Sequence, residues 1–299
     1  MQSSSKAKSI FFLFTAAIVW GFAFVAQKHG GNNVSPFYFN GIRFIIGAIS
    51  LVPVVALFER ETRDRAKLLR TMRAAAICAC FLFVASALQQ KGIVVTGDAG
   101  KSGFITSLYS VLVPVAYFLF FRKKTAFNIW IGVVLAVAGI FLLSIKSNLT
   151  IEVGDLYLLA GTIFWAGHII SIDKLVRDVS PIKFALFQAL FCGIYNLCFA
   201  LPTETVTLAG ISSAAIPLLY CGIGSTAIAY TCQILGQKFA EDQTYATIIL
   251  STESVFSVLG GAIVDREVMT ARGYIGCLLI FAGVIIAQLV FDKKKKVSE

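Results

Sequence analysis

Charged residues are scarce in this chain. Asp, Glu, Lys and Arg make up 14% of its 299 residues, against about 25% in soluble domains. With a hydrophobic share of 58%, this excludes a large soluble core and indicates a polytopic membrane protein. Histidine is scarcer still, with only His29 and His168. There is no HExxH and no GxSxG, so an intramembrane hydrolase lacks its usual parts. The seven cysteines are odd in number, none pairs in a CxxC, and all lie in apolar runs. They read as small apolar fillers, without a disulfide or a metal site. Gly100-Lys101-Ser102 resembles the end of a phosphate-binding loop, but Val95 stands where its first glycine belongs. Gly222-Ile223-Gly224-Ser225-Thr226-Ala227 fits a dinucleotide fingerprint by letter, yet lies inside an apolar run that leaves no room for a strand and turn. No cofactor is expected.

Long apolar runs are what the chain does have. Five fall in the first half, at 9–27, 37–58, 74–89, 102–121 and 127–145. Five more fall in the second, at 156–172, 184–201, 211–235, 244–264 and 274–291. Most approach the roughly 20 residues that a helix needs to cross a bilayer. Lysine and arginine set the orientation. The side holding both termini carries 19 of the 26, including Arg60, Arg63, Arg65, Lys67, Arg70, Arg73, Arg122, Lys123, Lys124 and Lys293 to Lys296. The other side carries six, and Arg43 lies within a run. The positive-inside bias then puts both termini in the cytoplasm of a multi-pass inner or plasma membrane protein. The net charge of +10 follows from the same bias and from attraction to anionic lipid, so the lipid bilayer is a partner and nucleic acid is not. Lys6 and Lys8 precede an apolar run as in a signal peptide, but no clear cleavage site follows, and the segment reads as a retained first helix.

The second half repeats the first at an offset of 144 to 145 residues. Trp20 and Pro36 match Trp165 and Pro181, Arg43 matches Gln188, and Glu59 matches Glu204. Gln89, Asp98, Ser107, Gly132 and Gly139 match Gln233, Asp242, Ser251, Gly276 and Gly283. Five spans is an odd number, so the second half enters the membrane from the opposite side. The expected fold is all-α, with ten transmembrane helices as two inverted five-helix repeats. Such repeats build two-sided access around one central site.

Polar groups inside the runs are the candidate functional residues. A charge at the bilayer centre costs about 2.5–3.5 kcal/mol even on the milder scale. Glu253 stands near the middle of its run. It could carry protons between states or bind a cationic substrate group; alternatively it is a hydrogen-bonded residue that fixes helix packing. Arg43 could meet a substrate carboxylate or phosphate, or snorkel to the interface or bind backbone carbonyls. His168 lines a cavity, with a part in coupling beside Glu253, or bonds a neighbouring helix. Gln89, Gln188 and Gln233 each need a partner in hydrocarbon, either a substrate or another helix. Trp20, Trp165, Tyr109, Tyr195, Tyr230 and Tyr245 are candidates for an aromatic lining that accepts a planar or cationic ligand, or are lipid-facing filler. Asp98 and Asp242 read as helix N-caps. The glycine pairs 132/139 and 276/283 suit close helix packing or a homodimer contact.

The ordered set of Ile18-Val19-Trp20-Gly21, Ser35-Pro36, Arg43-Phe44, Ser251-Thr252-Glu253-Ser254-Val255-Phe256, Gly273-x2-Gly276 and the run from Leu278 to Val284 resembles the EamA-type transporters of the drug/metabolite transporter superfamily. In place of an acidic residue that the family often has after span four, this chain carries Arg122-Lys123-Lys124. The resemblance implies repeats at 9–147 and 154–291, followed by a cytoplasmic basic tail at 292–299. It also implies secondary transport of a small metabolite, often export of an amino acid or related compound, by alternating access. The cavity would lie between spans one to four and six to nine, with spans five and ten as support. Substrate binding would fall to Trp20, Arg43, Gln89, Tyr109, Trp165, His168, Gln188, Tyr230, Gln233 and Glu253, with protons as a further candidate partner. A nucleotide-sugar exchanger of the same superfamily and an intramembrane enzyme are the alternatives.

Overall fold

The computed structural model describes residues 2–59, 64–122, 126–144, 152–266 and 271–289. The basic tail, Arg60, Arg63, Lys123 and Lys124 lie outside the described residues. Within them the protein is all-helical. The long helices are α1 (Gln2–Gly31), α2 (Pro36–Phe58), α3 (Arg65–Thr96), α4 (Ala99–Phe121), α5 (Phe127–Ser144), α6 (Val153–Leu175), α7 (Pro181–Thr203), α8 (Ala215–Phe239), α9 (Gln243–Val264) and α10 (Ala271–Leu289), with a short helix, Leu208–Ser213, before α8. Eight of these are long and apolar enough to cross a membrane; in α5 and α10 the apolar stretches found are the shorter Phe127–Gly139 and Tyr274–Gly283.

Capping explains where helices outrun their apolar stretches. The run at 74–89 becomes a 32-residue helix, α3. Its start is fixed by the Asp64 carboxylate, which accepts from the backbone N–H groups of Ala66 and Lys67. Its end is set by Gly97, at φ +64°. Hydropathy sees only the apolar middle. Asp98 and Asp242 cap α4 and α9, accepting from the N–H of Lys101 and of Thr244. Pro36 and Pro181 open α2 and α7, where a missing N–H costs nothing.

Packing is exchanged between the two halves. α3 packs on α6 and α7, while α8 packs on α1 and α2; α2 pairs with α7 and α5 with α10. The α5–α10 contact uses the glycine pairs. A Cβ on Gly139 would stand 2.5 Å from the carbonyl oxygen of Gly276, and one on Gly283 would stand 2.7 Å from that of Gly132. These glycines are therefore spent on a contact within one chain, not on a second copy.

Matched glutamates close the α2–α7 pair. Glu204, just after α7, accepts from the N–H groups of Phe37 and Tyr38 at the start of α2. Glu59, just after α2, accepts from those of Ile182 and Lys183 at the start of α7. The two helices run antiparallel, and each carboxylate meets the positive end of the other half's helix. Because these sites lie at opposite ends of the molecule, Glu59→Ala and Glu204→Ala should each cost about 1 kcal/mol, and their effects should add. Denaturant unfolding of the two single variants and the double variant in detergent checks this. A double variant no less stable than either single one would refute it.

α4 and α9 are both broken near their middles, at Leu108 and at Ser251–Thr252, which correspond at the 144 offset. Hydroxyl groups compete for the local carbonyls: Ser107 Oγ donates to Gly103 O at 2.8 Å, Ser251 Oγ to Ile248 O at 2.8 Å and Thr252 Oγ1 to Ile249 O at 2.7 Å. The first segment of α4 packs on the second of α9, and the second of α4 on the first of α9. The helices thus cross antiparallel at their breaks. Tyr109 and Glu253 are the residues just beyond them.

Candidate functional site

A narrow cavity lies beside this crossing. α1 contributes Trp20, Phe24 and Gln27 to its lining; α2 contributes Arg43, and α3 contributes Gln89. α4 adds Thr106 and Tyr109, and α6 adds Trp165 and Ile169. Ser225, Tyr230 and Gln233 come from α8, and Glu253 from α9. Eight of the ten residues expected from the sequence therefore meet in one place. His168 and Gln188 do not line the cavity. They bond each other behind its wall, with His168 Nε2 3.1 Å from Gln188 Oε1. α7 contributes no lining residue, and neither do α5 and α10.

Tyr230 centres an aromatic cluster. Its ring lies 4.9 Å from that of Trp20 in an edge-to-face contact and 6.4 Å from that of Trp165 in a stacked one. The His168 ring meets Tyr230 at 5.9 Å and Trp165 at 5.7 Å, both edge to face. It therefore supports the two rings that face the cavity. In α8, the ten residues just before Tyr230 form a π-helical stretch, Tyr220–Ala229. Within it the Ser225 carbonyl accepts from Trp20 Nε1 at 3.1 Å. This stretch contains the glycines of the false dinucleotide motif. Gly222 serves packing instead, since a Cβ there would stand 2.5 Å from Ile46 Cγ2.

Two charged groups face the cavity, one from each half. Arg43 is 1% exposed. Its Nε donates to Asn40 Oδ1 at 2.8 Å, and Asn40 is oriented by donating its own amide to Ser86 O. Arg43 has no carboxylate partner among the described residues. Glu253, on α9, is 3% exposed. Ser107 Oγ reaches it at 3.5 Å and Tyr109 lies beside it. Gln89 Nε2 donates to Thr106 Oγ1 at 3.3 Å. The glutamine Gln27 and the residues Thr106 and Ser225 went unread in the sequence. Gln27 ends an apolar run and passes for its boundary, and Ser225 acts through its backbone.

The ends of the bundle are tied differently. At one end Lys28 Nζ and His29 Nε2 reach Asp265, just after α9, at 2.6 and 2.7 Å. Partial burial pushes the Asp265 carboxyl up, but the hydrogen bonds from Lys28 and His29 outweigh it and hold it below the usual carboxylate range. At the other end Tyr117 of α4 donates to Asp173 of α6 at 2.6 Å. Lys28 and Asp173 correspond at the 145 offset.

The family model for EamA-like transporters matches the chain twice, over residues 7–145 and 152–289. An uncharacterized transporter of Archaeoglobus fulgidus is 29% identical over 273 residues, covering 91% of this chain and 83% of that protein. The uncharacterized transporter YoaV of Bacillus subtilis is 21% identical over 294 residues, covering 95% and 97%. A solved crystal structure has the same fold, with a TM-score of 0.79 at 18% identity over 97% of this chain and 99% of that one.

Proposed function

Because the chain belongs to the EamA-like transporter family, we propose that it is a secondary active transporter of a small zwitterionic metabolite, an amino acid or related compound, and works as an exporter. The observation that carries this reading is the pair Arg43 and Glu253, which line one cavity from different halves without an ion pair between them. A substrate carboxylate suits Arg43, and a substrate ammonium suits Glu253 with the rings of Trp20 and Tyr230 nearby. A nucleotide-sugar exchanger fits less well, because Arg43 is the one Lys or Arg among the lining residues and a carboxylate shares its cavity.

The mechanism is alternating access by two inverted five-helix repeats. The exchanged packing between halves, the reciprocal caps Glu59 and Glu204, and the paired breaks in α4 and α9 support it. Lys28–Asp265 and Tyr117–Asp173 close the two ends in this state. Each contact joins helix ends that separate when its side opens. Glu253 couples proton movement to the change, and His168 acts through Trp165 and Tyr230. Both termini face the cytoplasm, following the basic side of the chain.

The test is counterflow in liposomes holding the purified protein, with a panel of zwitterions and with or without an imposed pH gradient. Exchange of at least one zwitterion, altered by the gradient, is expected. No exchange across the panel would end the reading. In cells, a membrane-impermeant thiol reagent should label a cysteine placed at Leu208 and spare one placed at Leu69, in a background lacking Cys80 and Cys198. The reverse pattern would invert the proposed topology.

A further inference from the structure

The two halves of the cavity differ in which polar groups are satisfied. Gln89 and Gln233 occupy matched positions. Gln89 has Thr106 as a partner; the matching position in the second half is Leu250, which offers none. Gln233 is 1% exposed, and its Oε1 has no partner among the described residues. Trp20 and Trp165 are likewise matched. Trp20 Nε1 donates to the Ser225 carbonyl within the π-helical stretch. α3 is regular α-helix at the corresponding place. Trp165, 7% exposed, is left with an Nε1 donor that has no partner among the described residues. Gln27, 4% exposed, has an unpartnered Oε1 as well.

All three residues line the same cavity as Arg43 and Glu253. Buried polar atoms are nearly always bonded, because an unmade bond in a water-poor interior is costly. Gln233, one turn beyond Tyr230, and Trp165, stacked on Tyr230, lie together, and their two atoms mark what a ligand supplies there; Gln27 lies toward the other end of the cavity, and the Tyr109 hydroxyl lies beside Glu253. The pair asks for a group that donates to Gln233 and accepts from Trp165.

Resting on the reading of the protein as a zwitterion transporter, we infer that its substrate carries a planar amide-like group at the end of its side chain, a carboxamide or a urea, recognised by Gln233 and Trp165. The α-carboxylate and α-ammonium meet Arg43 and Glu253, and the distal group fills these two hydrogen-bond positions. A zwitterion of the same length with an apolar tail leaves those positions empty. Sites built to bond a polar group discriminate strongly against analogues that lack it.

The experiment is counterflow with the full chain in liposomes, comparing glutamine and citrulline with norleucine. At least about tenfold faster exchange of glutamine or citrulline is expected at low concentration. Gln233→Leu and Trp165→Phe should bring that ratio toward one; Trp165→Phe keeps the ring and removes only the donor. Equal exchange of norleucine by the parent protein would overturn the inference while leaving zwitterion transport standing. Exchange of no zwitterion would overturn both. A preference that survives in both variants would also overturn the assignment. Should the variants fail to fold, by size-exclusion and thermal melting, the parent protein's ratio decides.

Discussion

Glu253→Gln is expected to insert and fold as the parent does, but to lose uptake driven by a pH gradient. The side chain is buried at the break of α9, with Ser107 Oγ at 3.5 Å and Tyr109 beside it. These are hydroxyl groups, not cations, so an ionised Glu253 lacks a charged protein partner among the described residues. A proton or a substrate ammonium can supply what is missing. The amide of glutamine keeps the shape and can do neither. Loss of a hydrogen bond to a charged group costs about 1.5–3 kcal/mol, roughly 10- to 150-fold in apparent affinity. The measurements are gradient-driven uptake across external pH, counterflow without a gradient, and melting of the detergent-solubilised protein. Net uptake that no longer responds to pH, from a protein of unchanged melting midpoint, supports coupling at Glu253. A variant with the parent's rate and pH profile would make Glu253 a packing residue of the α4–α9 crossing.

Much of the scaffold could be read from residue types whose role is local. Asp98 and Asp242 cap helices because a carboxylate at that position meets free N–H groups in its own chain segment. Pro36 and Pro181 mark helix starts for an equally local reason. The glycine pairs signalled a close contact, but spacing on one helix cannot say whether the other surface belongs to the same chain; here α5 and α10 meet each other. Glu59 and Glu204 correspond in the repeat, yet their function lies across it, each capping a helix more than 120 residues away in sequence.

The candidate site was legible where a residue is costly in hydrocarbon. Arg43, Gln89, Gln233 and Glu253 stand out by type alone, and all four line the cavity. His168 and Gln188 stand out equally, because type does not tell a residue facing the cavity from one behind it. The π-helical stretch of α8 left no signal. It packs against α1 and α2, and its key contact with Trp20 is made by a backbone carbonyl.

Arg43→Gln gives the matched pair the same residue in both halves, since Gln188 is its counterpart. Two roles for Arg43 then predict opposite signs. If the guanidinium were chiefly a structural brace, its removal would lower stability. Its hydrogen bond to a described residue is from Nε to Asn40, which is neutral, and no carboxylate accompanies it among the described residues. A buried charge without a counter-charge is a burden on the fold. The variant should therefore melt at the same temperature as the parent or higher. Transport should suffer instead. An anionic substrate group meeting a desolvated guanidinium forms a charge-assisted contact that glutamine cannot replace, and truncating one side of such a pair costs about 2–5 kcal/mol. Zwitterion counterflow should fall by at least about thirtyfold in kcat/KM, mainly through a raised KM. Arg43→Lys keeps the charge but loses the planar fork held by Asn40, and should recover only part of the loss. A lower melting midpoint for Arg43→Gln with an unchanged KM would assign Arg43 to packing and remove the anion-binding half of the proposed site.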